Sequence, residues 1–198
     1  MTSAIVLASA SPARRTLLAN AGLAFDVEPA ALDERTVEAP LLARGASPAD
    51  IAVALADAKA AEVSRRVGGA LVIGADQTLD RDGHRGTKSQ TVAEARAQLQ
   101  RLVGRSHRLH SAVAVAHDGT VLWRHLESAT LTMRPLTPAG IDAYLRRIGE
   151  GALKSVGVYQ LEGEGISLFQ QIEGDYFAIL GLPLLPLLAY LRSQGAVE

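Results

Sequence analysis

The chain has 198 residues, 48% hydrophobic and 21% charged, with a formal net charge of −1. This is enough apolar material for one substantial core, or two small lobes around one sheet, and the charge balance marks neither a nucleic-acid binder nor a membrane-surface protein. Cysteine is absent, so disulfides, thiol nucleophiles and thiolate metal sites are excluded, and any metal must sit on oxygen or imidazole ligands.

The first predicted element is a short buried strand in AIVLAS, residues 4–9. A helix follows in SPARRTLLANAG, with Ser11 as its cap, Pro12 in its first turn and Gly22 at its end. Residues 25–46 read as irregular and acidic. Ser47, Pro48 and Asp50 then open a second helix that carries Ile51, Leu55, Ala58 and Val63 and stops at Gly68 and Gly69. ALVIGA, residues 70–75, is a buried strand expected to end at Asp76, with a turn from Asp80 to Gly83. Thr91 and Glu94 form a capping box for a helix closed by Gly104. Two or three antiparallel strands are predicted between His107 and Arg134, and a helix capped at Thr137 runs to about Arg147. A strand and turn in GISLFQQIEGDYFAIL and a closing helix in LPLLPLLAYLRSQG complete the chain. With no repeat or linker in view, the reading is one α/β domain over residues 1–198 with a mixed sheet flanked by helices. No apolar run approaches the ~20 residues that span a bilayer, and the arginines at the start follow the apolar run, so no membrane role and a cytoplasmic location are expected.

Three places carry chemistry on the residues alone. The loop GTKS is not a P-loop, because Thr87 separates Gly86 from Lys88; Lys88 stands as a candidate phosphate ligand or a solvated loop lysine. Asp76 at the carboxyl end of a strand, with Gly74 allowing close approach, is suited to hold a divalent cation or take a proton from water; the alternative is an aspartate capping a turn. In SASPARR a helix N-terminus offers free amides, Ser9 and Ser11 add hydroxyls, and Arg14 and Arg15 are cations where the helix dipole disfavours them unless an anion is bound. Lys59 and Glu34 each read singly as surface or loop residues, with phosphate and metal binding as the functional alternatives. The five histidines form no site by spacing: His107 and His110 are predicted to face opposite ways on a strand. Nothing resembles a nucleophile elbow, and the lone Trp123 among sparse aromatics argues against a nucleic-acid stacking platform.

The ordered set LASASPARRTLL (7–18), DE (33–34), ALADAKA (54–60), VIGADQ (72–77), Lys88, LVGRSH (102–107), GVYQLEGEG (157–165) and IEGDYFAILGLPL (172–184) resembles the Maf-like nucleoside triphosphate pyrophosphatases and covers nearly the whole chain. The resemblance implies hydrolysis between the α and β phosphates, a divalent metal (Mg²⁺ or Mn²⁺), a two-lobed inosine triphosphatase-like α/β fold with a central cleft, and commonly a homodimer. It implies Asp76 as general base, Ser9, Ser11, Arg14, Lys59 and Lys88 as triphosphate-binding positions, and Glu34 with Asp76 at the metal. Ala13, Gln77 and Glu162 match the specificity positions and look closer to a 7-methyl-GTP-preferring branch than to the dTTP/UTP-preferring group. A carboxylate at Glu162 suits the donors N1–H and N2 of a cationic N7-methylguanine, although that branch tends to carry a bulky aromatic where Ala13 stands. Ser89 replaces the usual proline after the loop lysine, and Lys154 falls one residue out of register with a family lysine. A nucleotide-binding regulator of septum formation with little catalysis is the reading from another class.

Overall fold

The computed structural model describes residues 4–153 and 155–198. Its centre is a seven-stranded mixed sheet, with six strands in the order β2-β1-β3-β5-β6-β7. β1 (Ile5–Leu7) lies between β2 (Asp26–Val27) and β3 (Leu71–Arg81), parallel to both. Beyond β3 the sheet is antiparallel, through β5 (Ser106–His117), β6 (Thr120–Met133) and β7 (Phe169–Glu173). The short β4 (His84–Gly86) returns on β3 through a tight turn, where Asp82 and Gly83 both take positive φ, as an Asp-Gly hairpin requires.

β3 does not stop at Asp76. It runs to Arg81, because β5 pairs with it as far as Asp80 opposite Arg108. The polar residues that suggested a strand end are each given a partner: Thr78 Oγ1 donates to the Pro48 carbonyl, and Asp80 meets His110 Nε2 at 3.3 Å. β5 covers one edge of β3 throughout, so β1 and β4 share the other. β1 reaches only to Ile73 and β4 begins at Leu79, which leaves the edge open around residues 75–77.

The two faces of the sheet are packed differently. Odd residues of β3 face two apolar clusters. One is built with α1 (Pro12–Asn20) and α7 (Leu184–Ser193), around Leu18, Ile73, Val113 and Leu187. The other is built with α4 (Val92–Leu102) and α5 (Pro138–Ile148), around Leu79, Leu99, Leu131 and Tyr144. Even residues face α3 (Pro48–Arg66), whose Ala52, Ala56 and Ala60 lie on Ala112, Ala114 and Ala116. These small side chains let helix and sheet approach closely. A Cβ at Gly74 would stand 2.3 Å from the Ala56 carbonyl oxygen, so only glycine fits there.

The region expected to be irregular holds a helix, α2 (Glu34–Leu42), capped by Asp33. Pro40 lies inside it and disguised it in the sequence, because proline lacks an amide hydrogen and costs the helix one backbone hydrogen bond. No helix among the described residues is long and apolar enough to cross a membrane.

Candidate active site

The open edge of β3 is where the sequence-predicted residues gather. The backbone leaves β1, turns through Ser9 and enters α1 at Ser11, whose hydroxyl accepts from the Arg14 amide at 3.4 Å. Arg14 reaches back across the gap. Its Nη1 donates to the Ala75 carbonyl at 2.9 Å, a group left without a strand partner where β1 ends, and to Ser9 Oγ at 3.2 Å. Its Nε donates to the Gly181 carbonyl at 2.8 Å. Ser9, Ser11 and Arg14 therefore form one interlocked cationic corner, whereas Arg15 is exposed. Burial pushes the Arg14 guanidinium below its ordinary pKa, and the carboxylates of Asp76 and Glu34 oppose that shift.

On the α3 side of the same gap lies Asp76, only 8% exposed. The close approach at Gly74 brings Lys59 over it: Lys59 Nζ is 2.7 Å from Asp76 Oδ1 and 2.6 Å from Glu34 Oε1. One ammonium thus bridges two carboxylates, one buried on the sheet and one half-exposed at the start of α2. Burial raises the Asp76 pKa above the usual carboxylate range. The charges of Lys59 and Arg14 pull it down, and Glu34 adds to the rise. The result is a carboxylate held in place by a cation yet with increased proton affinity, as a base acting on water requires.

The remaining predicted positions are more dispersed. Gln77 follows Asp76 but points to the opposite face, as strand alternation demands. Its Nε2 lies 2.9 Å from Ser111 Oγ, 3.1 Å from the Ala178 carbonyl and 2.9 Å from the Ile179 carbonyl. It thereby fastens α6 (Tyr176–Ile179), next to the Gly181 carbonyl that holds Arg14. Ala13 sits half-buried one residue before Arg14. Glu162 is exposed in a turn, and four residues before it Val158 is buried with φ 65°, a strained conformation for a β-branched residue. Lys88 is exposed in the loop after β4 and lines a cavity of about 400 Å³ between β4 and α4, with Arg81, Arg85 and Arg101. It is not in contact with Asp76. Lys154 lies outside the described residues.

Near the site, sequence reasoning did not anticipate the ion pair in which Arg85 Nη2 on β4 meets Glu38 Oε1 on α2 at 2.6 Å. Reading 34–42 as a helix would have placed Glu38 one turn beyond Glu34, on the same side.

The oxygen set suits a hard cation. Glu34 and Asp76 already converge on a single positive charge, and Mg²⁺ is commonly bound by one or two carboxylates with phosphate and water completing its shell. Among the described residues no group of three or more His, Cys, Asp or Glu forms a self-sufficient metal cage.

A cationic corner at a helix N-terminus, beside a buried carboxylate, is chemistry suited to a phosphate-bearing ligand. The chain belongs to the Maf-like protein family, whose model matches residues 4–194. It is 57% identical over 198 residues to a protein of Rhizobium johnstonii named 7-methyl-GTP pyrophosphatase, covering all of both chains. It is 54% identical over 198 residues, again with full coverage of both, to a Rhizobium meliloti protein of the same name. A Caulobacter vibrioides protein named nucleoside triphosphate pyrophosphatase is 53% identical over 193 residues, 98% of this chain and 96% of that one.

Proposed function

We propose that this protein hydrolyses nucleoside triphosphates to the monophosphate and pyrophosphate, with 7-methyl-GTP or another modified nucleotide as its preferred substrate. The observation that carries the reaction is the buried Asp76 carboxylate. Its proton affinity is raised, it is fixed by Lys59, and it stands at an open sheet edge beside Arg14. The names of the relatives support the bond cleaved.

In this reading the triphosphate lies along the gap. Arg14, the hydroxyls of Ser9 and Ser11, Lys59 and Lys88 neutralise its oxygens, Lys88 reaching it by a movement of the loop after β4. Asp76 accepts a proton from water as the water oxygen bonds to phosphorus and the bond to the bridging oxygen breaks, releasing pyrophosphate. Glu34 and Asp76 would hold Mg²⁺ or Mn²⁺, which when bound adds positive charge at the phosphates and lowers the pKa of water. Arg14 is already fixed by three protein acceptors, so little reorganisation accompanies substrate binding at that corner.

Base preference rests on Ala13, Gln77 and Glu162. Gln77 acts through α6 and the Gly181 carbonyl, and so influences Arg14 without touching the base. Glu162 is the residue free to meet donors of a purine. The test is a ranking of kcat/KM with Mg²⁺ or Mn²⁺ over 7-methyl-GTP, GTP, dTTP, UTP, CTP and ATP. The reading expects 7-methyl-GTP first, with its lead reduced in Glu162→Gln. A lead for dTTP or UTP would transfer the protein to the other branch, and no turnover on any of them would leave a nucleotide-binding regulator as the better account.

A further inference from the structure

Arg85 is on the same face of the sheet as Asp76. In the β3–β4 ladder it stands directly opposite Asp80, and directly paired residues present their side chains on one side. Asp80 is four residues from Asp76, so strand alternation puts Asp76, Thr78, Asp80 and Arg85 all toward α3. The Thr78 bond to the Pro48 carbonyl at the start of α3 fixes that orientation. Arg85 therefore borders the far end of the open edge that Arg14 borders at the near end.

Its partner links it to the same cleft. Glu38 is one helical turn beyond Glu34 on α2, and Glu34 shares Lys59 with Asp76. Two sets of ion pairs, Arg85 with Glu38 and Lys59 with Glu34 and Asp76, thus stand one turn of α2 apart. The fields of Asp76 and Glu34 both reach the Arg85 guanidinium, whose pKa is raised first by its bond to Glu38. Both members of the pair are mostly withdrawn from solvent, with side chains 22% and 14% exposed.

Yet Arg85 is incompletely satisfied. Its Nη2 meets Glu38 Oε1, and its buried Nε has no hydrogen-bond partner. The planar guanidinium fork suits a phosphoryl group as well as a carboxylate, and the unpartnered Nε leaves part of that fork unused. Lys59 and Arg85 are moreover each paired with protein carboxylates, Lys59 with Glu34 and Asp76 and Arg85 with Glu38. A polyphosphate entering the cleft needs cations released from protein carboxylates.

We propose that Arg85 is a polyphosphate ligand of this site, resting on Glu38 when the cleft is empty and exchanging that carboxylate for phosphoryl oxygens when a triphosphate binds. The assignment rests on the nucleoside triphosphate reading above and adds a residue to it.

The test is calorimetric binding of inorganic tripolyphosphate with Mg²⁺ to the wild-type protein, Arg85→Gln, Arg85→Lys and Glu38→Gln, beside steady-state kinetics with the best triphosphate. Loss of charged hydrogen bonds to phosphate predicts that Arg85→Gln weakens tripolyphosphate by about tenfold to a hundredfold. KM should rise similarly, kcat should change by less than about threefold, and Arg85→Lys should recover part of the loss. Glu38→Gln separates a ligand from a brace. If Arg85 serves the substrate, this variant binds tripolyphosphate as tightly as the wild type or more tightly. If Arg85 only anchors α2 through Glu38, the variant weakens binding as much as Arg85→Gln does, and the proposal falls. Unchanged binding in Arg85→Gln by a wild type that turns over triphosphate would overturn the proposal alone. A wild type that neither binds tripolyphosphate nor hydrolyses any triphosphate would overturn the functional reading with it.

Discussion

Replacing Asp76 by asparagine keeps the shape of the side chain and one acceptor oxygen while removing its charge and its capacity to take a proton. Breaking a buried ion pair commonly costs about 3–5 kcal/mol, because the surviving charge is left without compensation. That cost does not apply in full here, since Lys59 keeps Glu34 at 2.6 Å and the asparagine oxygen remains able to accept. The charged form of Asp76 is itself disfavoured by burial. Its folded pKa lies above its unfolded value, so the stability it contributes is present at low pH and is lost as pH rises toward neutrality. Removing the carboxylate therefore relieves a penalty at pH 7 as it weakens a contact. The two effects leave a net stability change within about 1 kcal/mol, or about 2–4 °C in Tm for a chain of this size. Activity should respond very differently. Loss of a general base lowers kcat by about 10²–10⁴-fold. Thermal unfolding and steady-state turnover of the same preparation at pH 7 test both halves. A kcat within tenfold of the wild type, or a Tm lower by more than about 10 °C, would refute the reasoning.

Two further outcomes follow from the packing around that carboxylate and from the far end of the sheet. Gly74→Ala places a Cβ 2.3 Å from the Ala56 carbonyl oxygen and 2.5 Å from the Ala60 amide nitrogen, so α3 must move. A stability loss of about 1–3 kcal/mol in urea unfolding is expected, together with reduced kcat as Lys59 is carried off Asp76. His107 is buried with its Nε2 2.6 Å from the Tyr159 hydroxyl, and burial lowers its pKa from 6.5 to about 4. The unfolded chain thus binds the extra proton first, and stability falls as pH drops from 6.5 to about 4, by about 3 kcal/mol across the window. Urea midpoints at pH 7 and pH 5 should differ less in His107→Gln than in the wild type; an unaltered pH dependence would show that another group controls it.

How far the sequence revealed this arrangement depends on whether the determining contact was local. The helix starts at Ser11, Ser47, Thr91 and Thr137 were legible because a cap and the backbone amide that donates to it lie within four residues. The end of β3 was misplaced because its polar residues are satisfied by groups distant in the chain, such as Pro48 for Thr78 and His110 for Asp80. The consequence for Asp76 is instructive. It is not at the end of its own strand but just beyond the end of β1, so the principle that ligands collect past strand ends applies through its neighbour. Glu34 and Lys59 each looked ordinary alone; their convergence on Asp76 depends on the helix–sheet approach that Gly74 permits. Arg85 carried no local signal, since its face is set by pairing across a hairpin and its partner lies in a helix obscured by Pro40.

The most direct test of the central claim is a ³¹P NMR time course of one purified triphosphate, 7-methyl-GTP, with the protein and Mg²⁺. The account predicts that pyrophosphate and nucleoside monophosphate rise together in equal amounts, without an orthophosphate phase. Orthophosphate appearing with nucleoside diphosphate would contradict it, because the bond broken would then be between the β and γ phosphates.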